Sequence, residues 1–346
     1  MSKKIVTLGE IMLRLSTPGF QRFVQAESFD ITYGGGEANV AAALCNYGLQ
    51  GIFVTKVPDN PIGQSAINHL RRYGVGTQYI AKGGQRLGIY FLETGASMRA
   101  SQVVYDRAGA SIAEAEVSDF DFDKIFEGVD WFHTTGITPA LSEKATLLTE
   151  TALKAAKAKG IATSIDLNYR KKLWSIEKAR EVMTRLCKYA DVCIGIDVFV
   201  GNEEDTANKS FKNKNSDVTN DNLNYEMYKK IFQQMKDTFD FKYITTTLRE
   251  SHSASDNKLS ALVYDGKEIY HTKKYEIRIV DRVGTGDSFS GGFIYGLVTG
   301  MHIKDAAEFG VAASALKHTI PGDFNHATLN EIKTLMKGDA SGRVQR

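Results

Sequence analysis

The densest run of residues able to do chemistry is Asp281-Arg-Val-Gly-Thr-Gly-Asp287, continued by Ser-Phe-Ser-Gly-Gly-Phe-Ile-Tyr-Gly-Leu297. Gly284 and Gly286 permit a tight turn that leaves backbone N–H groups exposed. Ser290, Gly291 and Gly296 then recur at the spacing of a closely packed helix. The first N–H groups of such a helix converge on one spot and favour an anion there. Asp287 falls in that first turn. A carboxylate so placed can take the proton of an attacking hydroxyl while the amides of Gly284, Thr285 and Gly286 stabilise a transferring phosphoryl group. Read in isolation, the same aspartate serves as well as a helix cap. No Gly-Lys-Ser/Thr follows, so this is not a Walker loop, and Phe289 stands where a dinucleotide fingerprint has its third glycine.

Other segments carry further candidates. In Tyr33-Gly-Gly-Gly-Glu-Ala-Asn39, Gly34 and Gly35 let the backbone approach a ligand, and Asn39 can both donate to and accept from hydroxyls. Alone, this is also what a flexible loop with a capping residue looks like. Arg107, in Tyr105-Asp-Arg, and Arg170, in Asp166-Leu-Asn-Tyr-Arg, are suited to a carboxylate, which a guanidinium can meet with two parallel hydrogen bonds. Either is equally at home in a surface ion pair. Gly201-Asn-Glu-Glu-Asp205 is an acidic turn.

The elements that must position these groups alternate. Apolar, β-branched runs at 4–8, 51–57, 131–136, 162–166, 191–196 and 242–247 read as buried strands. Helical patterns lie between them at 37–47, 61–73, 143–157, 176–187 and 224–237. This βα rhythm predicts a mostly parallel central sheet with helices on both faces. Residues 11–33 and 86–108 break it with strands and turns, a small β excursion that is a candidate lid. Segments 258–266 and 267–279 read as an antiparallel pair. Residues 208–224, rich in Asn, Lys, Ser and Asp, read as a solvated insertion in an otherwise single domain spanning 1–346. Of 346 residues, 42% are hydrophobic and 24% charged, with a net charge of +2. That balance gives no electrostatic case for nucleic acid or a membrane surface. The 3 cysteines lack metal-ligand spacing and read as buried hydrophobes of a reducing compartment. With neither a signal peptide nor a long apolar run, the expected location is the cytoplasm.

The glycine-aspartate segment resembles the C-terminal signature of the ribokinase-like (PfkB) sugar kinases, and Gly34, Gly35 and Asn39 match that family's Gly-Gly-x-x-x-Asn motif. The resemblance runs from residue 5 to about 333. It implies a three-layer ribokinase-like α/β fold with a small β-sheet lid, ATP and Mg²⁺ as cofactors, and a homo-oligomer formed through the lid. Activation by a monovalent cation stays open. Asp287 is then the base, Gly284, Thr285 and Gly286 its anion hole, and Gly34, Gly35 and Asn39 the sugar loop. Asn202 and Asp205 match the metal-linked Asn-x-x-Glu element, with Asp205 one methylene short of the usual Glu. Tyr90, Tyr105, Arg107 and Arg170 look like the substrate contacts of the 2-keto-3-deoxygluconate kinases. The resemblance places the nucleotide against Asn168, Arg170, Thr247, Arg249, Ser251 and Asn325. The implied reaction is ATP-dependent phosphorylation of the primary hydroxyl of 2-keto-3-deoxygluconate. A fructokinase-like neutral-sugar kinase is the alternative, followed by a non-catalytic sugar-binding protein.

Overall fold

A computed structural model of the chain describes residues 2–200 and 224–339. Its strands, in chain order, are β1 (Lys4–Leu8), β2 (Met12–Ser16), β3 (Asp30–Gly34), β4 (Gln50–Val57), β5 (Ile80–Lys82), β6 (Gly88–Glu93) and β7 (Gln102–Asp106). There follow β8 (Trp131–Thr135), β9 (Ala162–Asp166), β10 (Val192–Ile194), β11 (Tyr243–Ser251), β12 (Asp256–Tyr264), β13 (Ile269–His271) and β14 (Tyr275–Arg278). The main sheet runs β13-β12-β11-β10-β9-β8-β1-β4-β5, with β14 also paired to β12. From β11 to β5 every pairing is parallel, and the β11–β12–β13 edge is antiparallel. Segment 191–196 makes a strand of only three residues because Gly195, at φ +91°, turns the chain away.

Alternation along each parallel strand sends side chains to two separate cores. Val6, Leu8, Phe132 and Ile165 pack under α4 (Glu143–Ala158), α5 (Ile176–Leu186) and α6 (Tyr225–Phe239). Ile5, Trp131 and Val192 pack on the opposite face under α1 (Gly36–Asn46), α7 (Thr285–Val298), α8 (Ile303–Lys317) and α9 (Leu329–Met336). The remaining helices are α2 (Pro61–Arg72) and the single turn α3 (Phe122–Ile125). Two packed faces make the three-layer fold that the βα rhythm implied. Among the described residues no helix is long and apolar enough to cross a membrane.

The two stretches that interrupt the rhythm pair with each other. They form a four-stranded sheet in the order β3-β2-β6-β7, with β2 and β6 parallel and both outer pairs antiparallel.

Helix starts divide into two kinds. Asn60, Ser142, Ser175 and Thr328 cap α2, α4, α5 and α9 by accepting from the first-turn N–H groups, as short polar side chains do. Among the described α-helices, only α1 and α7 have no side-chain cap, and both start after a glycine, Gly35 and Gly284. Their open ends face the same cleft.

Candidate active site

The cleft, about 420 Å³ in volume, lies between the small sheet, the carboxyl ends of β9 and β10, and the start of α7. Open α/β sheets place their ligands at such strand ends. Gly284 adopts φ +77°, and a Cβ there would come within 2.0 Å of the Asp323 carbonyl oxygen, so only glycine makes this turn. Gly286 has an ordinary backbone, and a Cβ there would meet nothing within 4 Å among the described residues.

Asp287 projects from the first turn of α7 into the cleft. Its Oδ2 accepts a hydrogen bond from Asn39 Nδ2 at 2.6 Å. The Asn39 amide is oriented in turn, since its Oδ1 accepts from Gly35 N–H at 3.2 Å. Burial raises the proton affinity of Asp287. The Asn39 bond and the Arg170 charge oppose this and Asp323 adds to it, leaving the carboxyl at about 6. Asp166, on the same wall, is pushed up to about 7 by burial and by the charges of Asp287 and Asp197. Its oxygens accept from Asn168 N–H and Ser290 Oγ. The sharp bend after β9 places Asn168 at φ +40°.

The small sheet supplies the opposite wall. Tyr90 and Tyr105 are directly paired across β6 and β7, their rings 6.0 Å apart. The buried Tyr90 hydroxyl donates to Asp323 at 2.6 Å. Arg107, just past β7, lines the cleft and stacks on Tyr105 with 5.3 Å between guanidinium and ring centre. It is paired with Glu10, whose carboxyl is buried and raised in proton affinity by burial, with Arg107 opposing. Among the described residues, Arg107 Nε and Glu10 Oε1 have no hydrogen-bond partner.

Of the residues singled out by sequence, Gly35, Asn39, Tyr90, Tyr105, Arg107, Asn168, Arg170, Thr247, Arg249 and Gly284 to Asp287 share this cleft. Three do not. Gly34 lies behind the wall, where a Cβ would strike the Asp323 carboxylate. Ser251 is exposed at the far end of β11. The Asn325 side chain is buried, donating to Tyr47 and to the Ala313 carbonyl, so its amide holds the fold and is withdrawn as a nucleotide contact. Asn202 and Asp205 lie outside the described residues.

Sequence reasoning missed the charged groups behind the walls. Arg14, on β2, is 4% exposed and bridges two carboxylates, Asp281 at 2.6 Å and Asp323 at 2.8 Å. Those aspartates sit on the two loops that shape the start of α7. Glu37 is buried, accepting from Thr135 N–H, Thr135 Oγ1 and Thr138 Oγ1, and its carboxyl is pushed up to about 7 by burial. Among the described residues no group of 3 or more His, Cys, Asp or Glu gathers as a metal cluster.

A carboxylate at an uncapped helix start, facing a wall of tyrosines and arginine, has the chemistry to accept a proton beside a bound anion. Comparison with known proteins decides the family, because the pfkB family carbohydrate kinase model matches residues 2–227 and 255–327. The chain belongs to the pfkB family of carbohydrate kinases. The crystal structure of a 2-dehydro-3-deoxygluconokinase from Thermotoga maritima is 50% identical, with a TM-score of 0.88, covering 98% of this chain and 99% of that one. A 2-dehydro-3-deoxygalactonokinase of Haloferax volcanii is 33% identical over 342 residues, 99% of each chain. A 5-dehydro-2-deoxygluconokinase of Clostridium perfringens is 26% identical over 342 residues, 96% of this chain and 92% of its own. As a member of the pfkB family this chain is a carbohydrate kinase that uses ATP.

Proposed function

We propose that the chain transfers the γ-phosphoryl group of ATP to the primary hydroxyl of 2-keto-3-deoxygluconate, giving 2-keto-3-deoxy-6-phosphogluconate. The observation that carries this is Asp287 at the open end of α7, held by Asn39 and facing Arg107 across the cleft. The named relatives support it, since each name denotes a kinase of a dehydro-deoxy sugar acid.

Asp287 takes the hydroxyl proton as the sugar oxygen attacks the γ-phosphorus. The bond from that phosphorus to the bridging oxygen breaks, and ADP leaves with the electron pair. The uncapped N–H groups of α7 and the nearby Arg170 balance charge on the group in flight, so positioning and electrostatics carry most of the catalysis. Arg107 holds the substrate carboxylate, with Tyr90 and Tyr105 shaping the wall beside it. The small sheet acts as the lid that excludes water. Its outer strands expose Ile31 and Val104, the face on which we place a second copy of the chain.

Mg²⁺ fits this donor set. A nucleotide-bound magnesium needs one or two protein carboxylates beside phosphate oxygens and water. Asp166, its proton affinity raised by burial and then by the Asp287 charge, would hold the ion, which neutralises polyphosphate charge when bound.

The test is ADP release with Mg²⁺·ATP on 2-keto-3-deoxygluconate, gluconate, fructose and ribose, for wild type, Asp287→Asn and Arg107→Ala. Turnover on the keto-deoxy acid, abolished by Asp287→Asn and weakened in KM by Arg107→Ala, is expected. Best turnover on fructose, indifferent to Arg107→Ala, would remove the acid substrate. The Haloferax relative favours a second reading, the galactonate epimer, which belongs in the same panel.

A further inference from the structure

Two arginines lining the cleft meet no carboxylate among the described residues. Arg249, near the end of β11, donates to Thr285 Oγ1 at 3.2 Å and approaches His318 Nε2 at 3.4 Å. Thr285 is the first residue of α7, so this guanidinium sits against the open helix end. His318 is wholly buried, and its Nδ1 lies 2.7 Å from the Ser314 carbonyl oxygen. That nitrogen therefore carries the proton, and Nε2 is left as an acceptor that fixes Arg249. Burial and the Arg249 charge hold His318 neutral, at about 3.

Arg282 lies three residues before Thr285 on the same wall and donates to the side-chain oxygen of the buried Asn257. Neither arginine draws support from a carboxylate of the described residues. Burial alone lowers Arg282, while burial and then the Arg282 charge lower Arg249 to about 10. The nearest acid on β11, Glu250, is taken up by Lys274. Keeping two desolvated cations side by side is unfavourable unless an anion joins them. A guanidinium pair beside uncapped helix N–H groups suits a polyanion better than a single carboxylate.

We propose that Arg282, together with Arg249, forms a clamp for the terminal phosphates of the nucleotide, with Arg282 reading the second phosphate group from the adenosine end. The clamp rests on the ATP-dependent kinase reading, and Arg282 is the residue new to it.

Calorimetric titration of the full-length chain with Mg²⁺·ADP and with AMP tests it in wild type, Arg282→Gln and Arg282→Lys. Loss of a charge-assisted contact predicts that Arg282→Gln weakens ADP roughly tenfold to a hundredfold and AMP less than about threefold, with partial recovery in Arg282→Lys. The ligand-free Tm of Arg282→Gln is expected to match or exceed wild type, because a like-charge contact is removed. Wild type that turns over sugar while Arg282→Gln keeps its ADP affinity overturns the clamp alone, as does an equal loss for ADP and AMP. Wild type that binds no ADP overturns the kinase reading and the clamp together.

Discussion

Asn39 Nδ2 stands 2.6 Å from Asp287 Oδ2, although 248 residues separate the two in sequence. The bond favours the ionised carboxylate, and ionised is the form a base must have. With Asp287 at about 6, kcat/KM is expected to rise with pH through that value and level off above it. Asn39→Ala removes the lowering influence, so its acid limb moves to higher pH, with kcat falling roughly tenfold to a hundredfold. A pH–rate series on both enzymes checks this, and identical acid limbs would contradict it.

Gly284 and Gly286 are expected to respond differently to one methyl group. Gly284→Ala forces a side chain into a left-handed turn and against the Asp323 carbonyl, so Tm and kcat both fall. Gly286→Ala meets nothing among the described residues and keeps its Tm, changing only KM for ATP. Thermal unfolding and ATP titrations of the two variants separate the cases.

Stability is expected to fall as pH rises from about 5 to 7. Glu37 and Asp166, both pushed up to about 7, keep protons in the fold that the unfolded chain has already released. The native state then binds more protons across that window, and the slope of stability on pH is negative. Each group contributes roughly 2–3 kcal/mol of loss between pH 5 and 7 as an upper bound. Glu37→Gln has no proton to lose there, and urea unfolding at the two pH values should show a shallower decline.

Arg14→Met leaves Asp281 and Asp323 buried and facing each other without their shared cation. Breaking a buried pair of this kind costs about 3–5 kcal/mol. Because Tyr90 also leans on Asp323, KM for the sugar should rise in whatever fraction folds. Chemical denaturation and sugar titrations measure both effects. An unchanged unfolding midpoint would mean that the bridge contributes nothing to the fold.

The glycine-aspartate turn was legible because its message is local: glycines that permit the bend, small residues at helical spacing, and a carboxylate in the first turn. The three-layer fold was legible because each strand and helix announces itself by its own period. Arg14, Glu10 and Asp323 were not, since their meaning depends on partners as far as 309 residues away. Asn325 shows the reverse error. It sat in a loop expected to touch nucleotide, yet packing turned its amide inward to Tyr47. Arg282 lay inside the strongest motif and passed unread, because only the three-dimensional neighbourhood reveals that no carboxylate of the described residues stands beside it.

The helices that begin at Gly36 and Thr285 give up the capping bonds that their neighbours make. Each such bond is worth about 1 kcal/mol to a fold. The molecule therefore carries a deficit concentrated at one cleft, and ligands that complete those helix ends stabilise the native state by mass action. Heat resistance in this kinase should accordingly track the supply of its own substrates.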